Sequence, residues 1–214
     1  MNQKKRCMRK GFRLKNLMML AVCFVFLWSS MPAVKVQAAG TDDTGEWQYS
    51  FNQGRSSVNI TKYIGLGSEV VVPAKITING EIFPVRALSM GVFAKNKTVT
   101  DVEVSEGIKE FTGGTTPSGS PSSSAGAFSN CSSLLSVSLP ASLVYIGDYS
   151  FYNCTSLKSI QLPYSVTFIG IGAFQGCSAI KTIQIPDNVT TISASTFQDC
   201  VNLEYLEIRL QKFC

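Results

Sequence analysis

Over residues 128–208 the apolar positions keep a fixed register. Leu134, Leu157, Ile180 and Leu203 fall 23 residues apart, and so do Val137, Ile160, Ile183 and Leu206, and Leu139, Leu162, Ile185 and Ile208. Bulkier markers share the step: Phe128, Phe151, Phe174 and Phe197; Cys131, Cys154, Cys177 and Cys200; Pro140, Pro163 and Pro186. In Cys154–Pro163, CTSLKSIQLP, Ile160 and Leu162 alternate with Ser159 and Gln161. That predicts a short strand with one buried face, ended by a proline that has no N–H to give. The second half of the unit offers Val166, Ile169, Ala173 and Phe174 as inward positions, with Gly170 at a bend. A unit this small cannot bury its own apolar face, whereas stacked units form one core. The expected fold is a mainly β solenoid of stacked repeats, with parallel strands roughly 4.8 Å apart and irregular return arms. The Phe and Cys columns are its expected core. A parallel β-helix is the alternative, disfavoured by the fixed V-x-x-I-G-x-x-A-F pattern of the return arm.

Residues 163–186 read PYSVTFIGIGAFQGCSAIKTIQIP. This unit resembles the leucine-rich repeat of the BspA-like (Treponema-type) surface protein family, and the likeness runs over residues 70–208. The resemblance implies a secreted or cell-surface leucine-rich repeat protein associated with adhesion and protein binding. The motif is structural and brings no catalytic residue with it.

The flanking pattern differs. Seven lysines and arginines precede Leu17, an unbroken apolar run of 12 residues follows to Trp28, and the segment ends Val36-Gln37-Ala38-Ala39. Residues 1–38 therefore read as a signal peptide cleaved after Ala38. The run is short for a membrane anchor, which takes about 20 residues. Val22 and the apolar residues after Cys23 argue against a lipid anchor there. Residues 39–72 are expected to form an N-terminal β cap: 39–45 flexible, then alternating Trp47, Tyr49 and Phe51, a turn at Asn52-Gln53-Gly54, and a second strand through Val58 and Ile60. The resemblance implies such a W-x-Y hairpin before the repeats, and an aromatic sugar platform is the other reading of its rings. The repeat block spans 73–208, with a less regular stretch at 74–83. Asn96 stands in the cysteine column and Ser105 in the proline column. From Phe93 to Phe128 is 35 residues, 12 more than one repeat, and the excess falls in the low-complexity insertion at 113–124. After Ile208 only a short tail, 209–214, is present, with no return arm. That leaves the last unit open to self-association.

Charge changes the picture only once the leader is set aside. The chain is +5, from 19 basic and 14 acidic residues, but 8 of the basic residues and none of the acidic ones lie in 1–38. The remainder is slightly acidic and has no basic stripe, so nucleic acid is not an expected partner. Nor is membrane insertion once the signal is removed. The chain has no histidine, which excludes histidine triads and histidine metal sites within it. No phosphate loop or dinucleotide fingerprint appears, and no cofactor, metal or enzymatic activity is expected. The cysteine ladder does not have metal-ligand spacing. Neighbours one rung apart are also too distant for a disulfide, whose Cβ atoms lie about 3.8 Å apart. Buried free thiols are the expected state. Asn59, Asn96, Asn130, Asn153 and Asn188 each open an N-x-S/T match. Three of these sit at repeat turns and read as turn chemistry.

What remains is the outward face of the strands. Asp101, Glu103, Lys158, Gln161, Lys181, Thr182, Gln184, Tyr205 and Glu207 are the candidate ligand face, polar and mixed in charge. Such a face suits an extracellular protein or glycan. The expected function is recognition or adhesion at the bacterial surface. A solvated face on a structural spacer or truncated repeat fragment is the alternative, and an accessory domain of an enzyme a remote one.

Overall fold

The computed structural model describes residues 39–113, 122–123 and 125–208. The expected signal peptide, most of the insertion and the tail lie outside these residues. Thirteen strands are described: β1 Ala39–Thr41, β2 Trp47–Phe51, β3 Val58–Tyr63, β4 Glu69–Val72, β5 Lys75–Ile78, β6 Glu81–Leu88, β7 Asp101–Val104, β8 Glu110–Phe111, β9 Ser136–Ser138, β10 Tyr145–Ile146, β11 Phe168–Ile169, β12 Thr182–Ile185 and β13 Tyr205–Ile208.

The first three strands are antiparallel and form the predicted hairpin, with β1 added. Residues 39–45 are therefore not a flexible lead-in. Buried Asp42 organises them: its carboxylate accepts hydrogen bonds from the Trp47 N–H at 3.1 Å and from the Thr44 hydroxyl at 2.8 and 2.9 Å. Gly45 completes the turn at φ 78°, where a Cβ would be strained. The less regular stretch at 74–83 is also a hairpin, β5 against β6, closed by Asn79-Gly80 with both residues at positive φ. Asn-Gly is the dipeptide that a two-residue hairpin turn of this hand favours. Asp43 caps it, accepting from the N–H groups of Asn79 and Gly80 at 2.8 and 2.9 Å.

Apart from the β5–β6 hairpin, the pairing from β4 onward is parallel, as the repeat demands. One ladder runs β4–β7–β9 and resumes as β12–β13. Residues 69–72 are thus its first rung as well as the end of the expected cap. A second parallel ladder, β3–β6–β8–β10–β11, lies on the return arms, which are more regular than the sequence predicts. Phe111 pairs with Ile146 in it, one unit apart across 35 residues, so the insertion does not break the stack.

The predicted strand at 157–162 does not form. The equivalent step between neighbouring coils is closed by Leu135 N–H to Thr100 O at 2.7 Å and by Glu204 N–H to Lys181 O at 2.8 Å. Between them, Lys158 N–H reaches Leu135 O only at 3.4 Å. The next step is open as well, since β12 pairs only with β13 among the described strands; there Lys158 and Lys181 hold the same column, and like charges on neighbouring rungs oppose pairing. Lys181 and Glu204 put opposite charges together where the ladder is closed.

Inside, the phenylalanine column is one continuous stack. Phe93, Phe128, Phe151, Phe174 and Phe197 follow at centroid spacings of 4.9, 5.1, 5.2 and 5.8 Å, tilted by at most 8°. Trp47 and Tyr63 meet Phe93 at 6.0 and 5.3 Å and close the N-terminal end of the stack. Trp47 and Tyr49 are buried and Phe51 half-buried, so these rings are cap core rather than a sugar platform. At the other end the predicted core thins out. Phe197, Cys200 and Leu203 are half-buried and Leu206 and Ile208 exposed, since no later coil among the described residues covers them.

Candidate ligand-binding face

Each rung of the strand ladder turns one set of side chains into the stack and the next outward. In β12, Ile183 and Ile185 are buried while Thr182 and Gln184 are exposed. Parallel register then aligns the outward residues in columns: Thr182 beside Tyr205, and Gln184 beside Glu207. In the earlier part of the ladder Asp101 lies beside Ser136, and Glu103 beside Ser138.

The nine predicted face residues do not form one site. Gln161, Thr182, Gln184, Tyr205 and Glu207 line a single open depression of about 1220 Å³. Its floor includes Ile160, Leu162, Ile183 and Ile185, and Pro163 and Pro186 lie along it. Lys158 and Lys181 are exposed but do not line it, and Asp101 and Glu103 belong to the separate β4–β7–β9 sheet. Asp101 is engaged locally: the Ser136 hydroxyl donates to its carboxylate. That bond, with one from Thr100, holds the carboxyl below its ordinary range. The depression lies where the ladder opens, against residues 159–164, and its remaining polar lining is Ser159, Tyr164 and Glu204. Tyr164 was not among the predicted face residues. It stands directly after Pro163, outside the alternating strand pattern, and the residue is 66% exposed. Only its exposure singles it out.

The cysteine column makes no comparable site. Cys131, Cys154, Cys177 and Cys200 are free thiols, as expected. Each donates to the carbonyl of the phenylalanine that starts the preceding coil: Phe93, Phe128, Phe151 and Phe174, at 2.9, 3.1, 3.0 and 3.1 Å. Burial pushes all four thiols up, Cys131 to about 12, which makes them poor nucleophiles. Asn96 substitutes by bonding within its own turn, accepting from Thr98 and Val99 N–H at 2.9 and 2.8 Å. Asn130 and Asn153 sit at φ 59° and 54°, a backbone state that asparagine tolerates better than most residues. Among the described residues no group of three or more Cys, Asp or Glu could hold a metal ion.

Residues 122–212 match the model of the BspA type leucine rich repeat region, in 6 copies. Solved structures of similar fold include a Treponema pallidum leucine rich repeat protein, 26% identical with a TM-score of 0.64, matching 77% of this chain and 69% of that one. A leucine rich cell surface protein from Faecalibacterium prausnitzii is 28% identical with a TM-score of 0.67, over 83% of this chain and 44% of that one. A leucine-rich repeat protein from Bacteroides ovatus is 26% identical with a TM-score of 0.63, over 82% and 41%. The chain thus spans less than half the length of the latter two. No curated protein sequence matches it.

Proposed function

We propose that this chain, whose residues 122–212 match a BspA-type leucine-rich repeat region, is an exported recognition module that binds an extracellular protein or glycan through its strand face. The observation that carries this reading is the depression, which gathers Gln161, Thr182, Gln184, Tyr205 and Glu207 from three successive coils. Repeat stacking presents such columns on one surface, where a ligand spanning several coils touches them together. The charged leader at residues 1–38 supports export, and the relative described as a cell surface protein supports placement outside the cell. Among the described residues no assembled catalytic chemistry competes with binding: the chain lacks histidine, and the four described thiols are buried or half-buried with raised pKa.

The test is a binding screen of the chain against matrix proteins and glycans. A genuine hit should weaken about tenfold or more when Gln161, Gln184 and Tyr205 are changed together to alanine, with the circular dichroism spectrum preserved. Changing Lys158 and Lys181 together should have a smaller effect. A screen without hits, or hits indifferent to the triple change, moves the chain to the structural-spacer reading.

A further inference from the structure

We propose that the backbone N–H groups of Tyr164 and Ser165, at the rim of the depression, are a docking point for a single carboxylate side chain of a partner polypeptide. This rests on the strand-face reading and names one contact of its ligand. The repeat itself shows the geometry in use. After Pro140 the chain makes a tight turn, closed by Leu143 N–H to Pro140 O at 3.1 Å. The first two N–H groups of that turn, Ala141 and Ser142, donate to the two carboxylate oxygens of Glu106 in the preceding coil, at 2.8 and 3.1 Å. The bond from Ala141 N–H holds the Glu106 carboxyl below its ordinary range, so the pair of donors favours the charged form.

The next coil repeats the turn. Val166 N–H closes onto Pro163 O at 3.0 Å, and Ser165 Oγ donates to Leu143 O as Ser142 Oγ donates to Ile108 O. Tyr164 and Ser165 therefore stand where Ala141 and Ser142 stood, and Ala141 stands where Glu106 stood. The methyl group of Ala141 cannot accept a hydrogen bond. Among the described residues neither the Tyr164 N–H nor the Ser165 N–H has a partner. Ala141, Pro163 and Tyr164 all line the depression, so a ligand lying in it reaches the position that Glu106 fills one coil earlier. In the coil after, Asp187 brings its own carboxyl group to the equivalent turn and does not line the depression. Charge sets the class of ligand. Asp187, Glu204 and Glu207 surround the docking point with carboxylates, and Lys181 offsets Glu204, whose N–H bonds to Lys181 O. That balance opposes a polyanion such as a uronic-acid glycan. One acidic residue in an otherwise neutral segment brings a single charge to the two donors.

The test is a titration of the isotope-labelled full chain with acetyl-Gly-Gly-Glu-Gly-Gly amide, its Gln counterpart and a hyaluronan tetrasaccharide, read at the Tyr164 and Ser165 amides by nuclear magnetic resonance. The Glu peptide should shift both amides and bind about tenfold more tightly than the Gln peptide. Ala141→Glu should occupy the donors from within the chain, moving both amides without peptide and removing the response. Glu106→Ala should make the Ala141 and Ser142 amides respond to the Glu peptide as well. An equal response to the Gln peptide overturns the carboxylate assignment, and a response to the tetrasaccharide alone overturns the polypeptide one. A Glu-peptide response that survives Ala141→Glu, or no response at all, overturns the docking point. The matrix-protein screen decides the broader reading separately: a hit there that Ala141→Glu leaves intact overturns this contact and keeps the strand-face reading.

Discussion

At the scale of single residues, the repeat is held by side chains that answer the backbone of the coil before them. The thiol of Cys154 gives its proton to Phe128 O, and Cys177 gives its own to Phe151 O. This explains why cysteine, a small and mostly apolar donor, fits a buried position facing a carbonyl. It also sets a pH dependence. The unfolded chain releases thiol protons near the ordinary cysteine pKa of about 8.5. Folded Cys131 holds its proton to about 12. Above about pH 8.5 the unfolded state binds fewer protons than the folded one, so stability present at neutral pH falls as pH rises through that window. We expect denaturation midpoints to drop in alkali. At pH 8, iodoacetamide should label half-buried Cys200 well before Cys131, Cys154 and Cys177, as peptide mass spectrometry would resolve. Equal labelling of all four in the folded chain would remove the thiols from the core.

At the scale of elements, the strand ladder is interrupted where two lysines adjoin. At that step β12 has no partner but β13 among the described strands, and the step before it is long, with Lys158 N–H 3.4 Å from Leu135 O against 2.7 and 2.8 Å at closed steps. Lys158→Glu replaces the like-charged neighbour of Lys181 with an opposite one. Cross-strand pairs of this kind are worth roughly 0.2–1 kcal/mol. The variant should be more stable by about that amount in low-salt urea denaturation, and the gain should shrink near 1 M salt, where exposed charges are screened. Lys158→Gln should fall between. A salt-independent effect, or a loss of stability, would show that charge does not open the ladder. The hairpin β5–β6 shows the opposite case, an element that local chemistry does specify. Asn79-Gly80 and the Asp43 cap fix it, and the dipeptide is visible in the chain although alternation around it is weak.

At the scale of the whole described stack, the two ends differ. The N-terminal end is closed by Trp47 and Tyr63 over Phe93, and Trp47 is buried. At the C-terminal end of the described residues every residue of β13 is exposed. Coils in such a stack are stabilised by their neighbours, so losing one cover weakens the nearest coils most. Trp47→Ala should cost about 3–5 kcal/mol. Hydrogen exchange should then accelerate first in residues 39–63 and 85–93, with 151–177 the last to lose protection. Uniform acceleration throughout would show that the coils open as one unit and that Trp47 is not a local lid.

The sequence by itself determined the repeat, its register and its core. A period of 23 residues in Phe, Cys and aliphatic positions leaves one arrangement that buries them all, with equivalent residues stacked. Phe93 meets Phe128 across 35 residues because the core positions set the register and the added loop does not. The outward character of Gln161, Thr182, Gln184, Tyr205 and Glu207 was legible for the same reason, since alternate strand residues face opposite sides. Only the tertiary structure decided which outward residues share a site. Lys158 and Lys181 belong to the same coils as Gln161 and Gln184, yet they lie outside the depression, while Tyr164 enters it from beyond Pro163. It also decided that β1 pairs with β2, beside the buried Asp42 carboxylate, and that no strand forms at 157–162. Period reports what each unit does alike. Pairing between coils, closure of the ends and the shape of a depression depend on where the units differ and on what those differences touch in three dimensions.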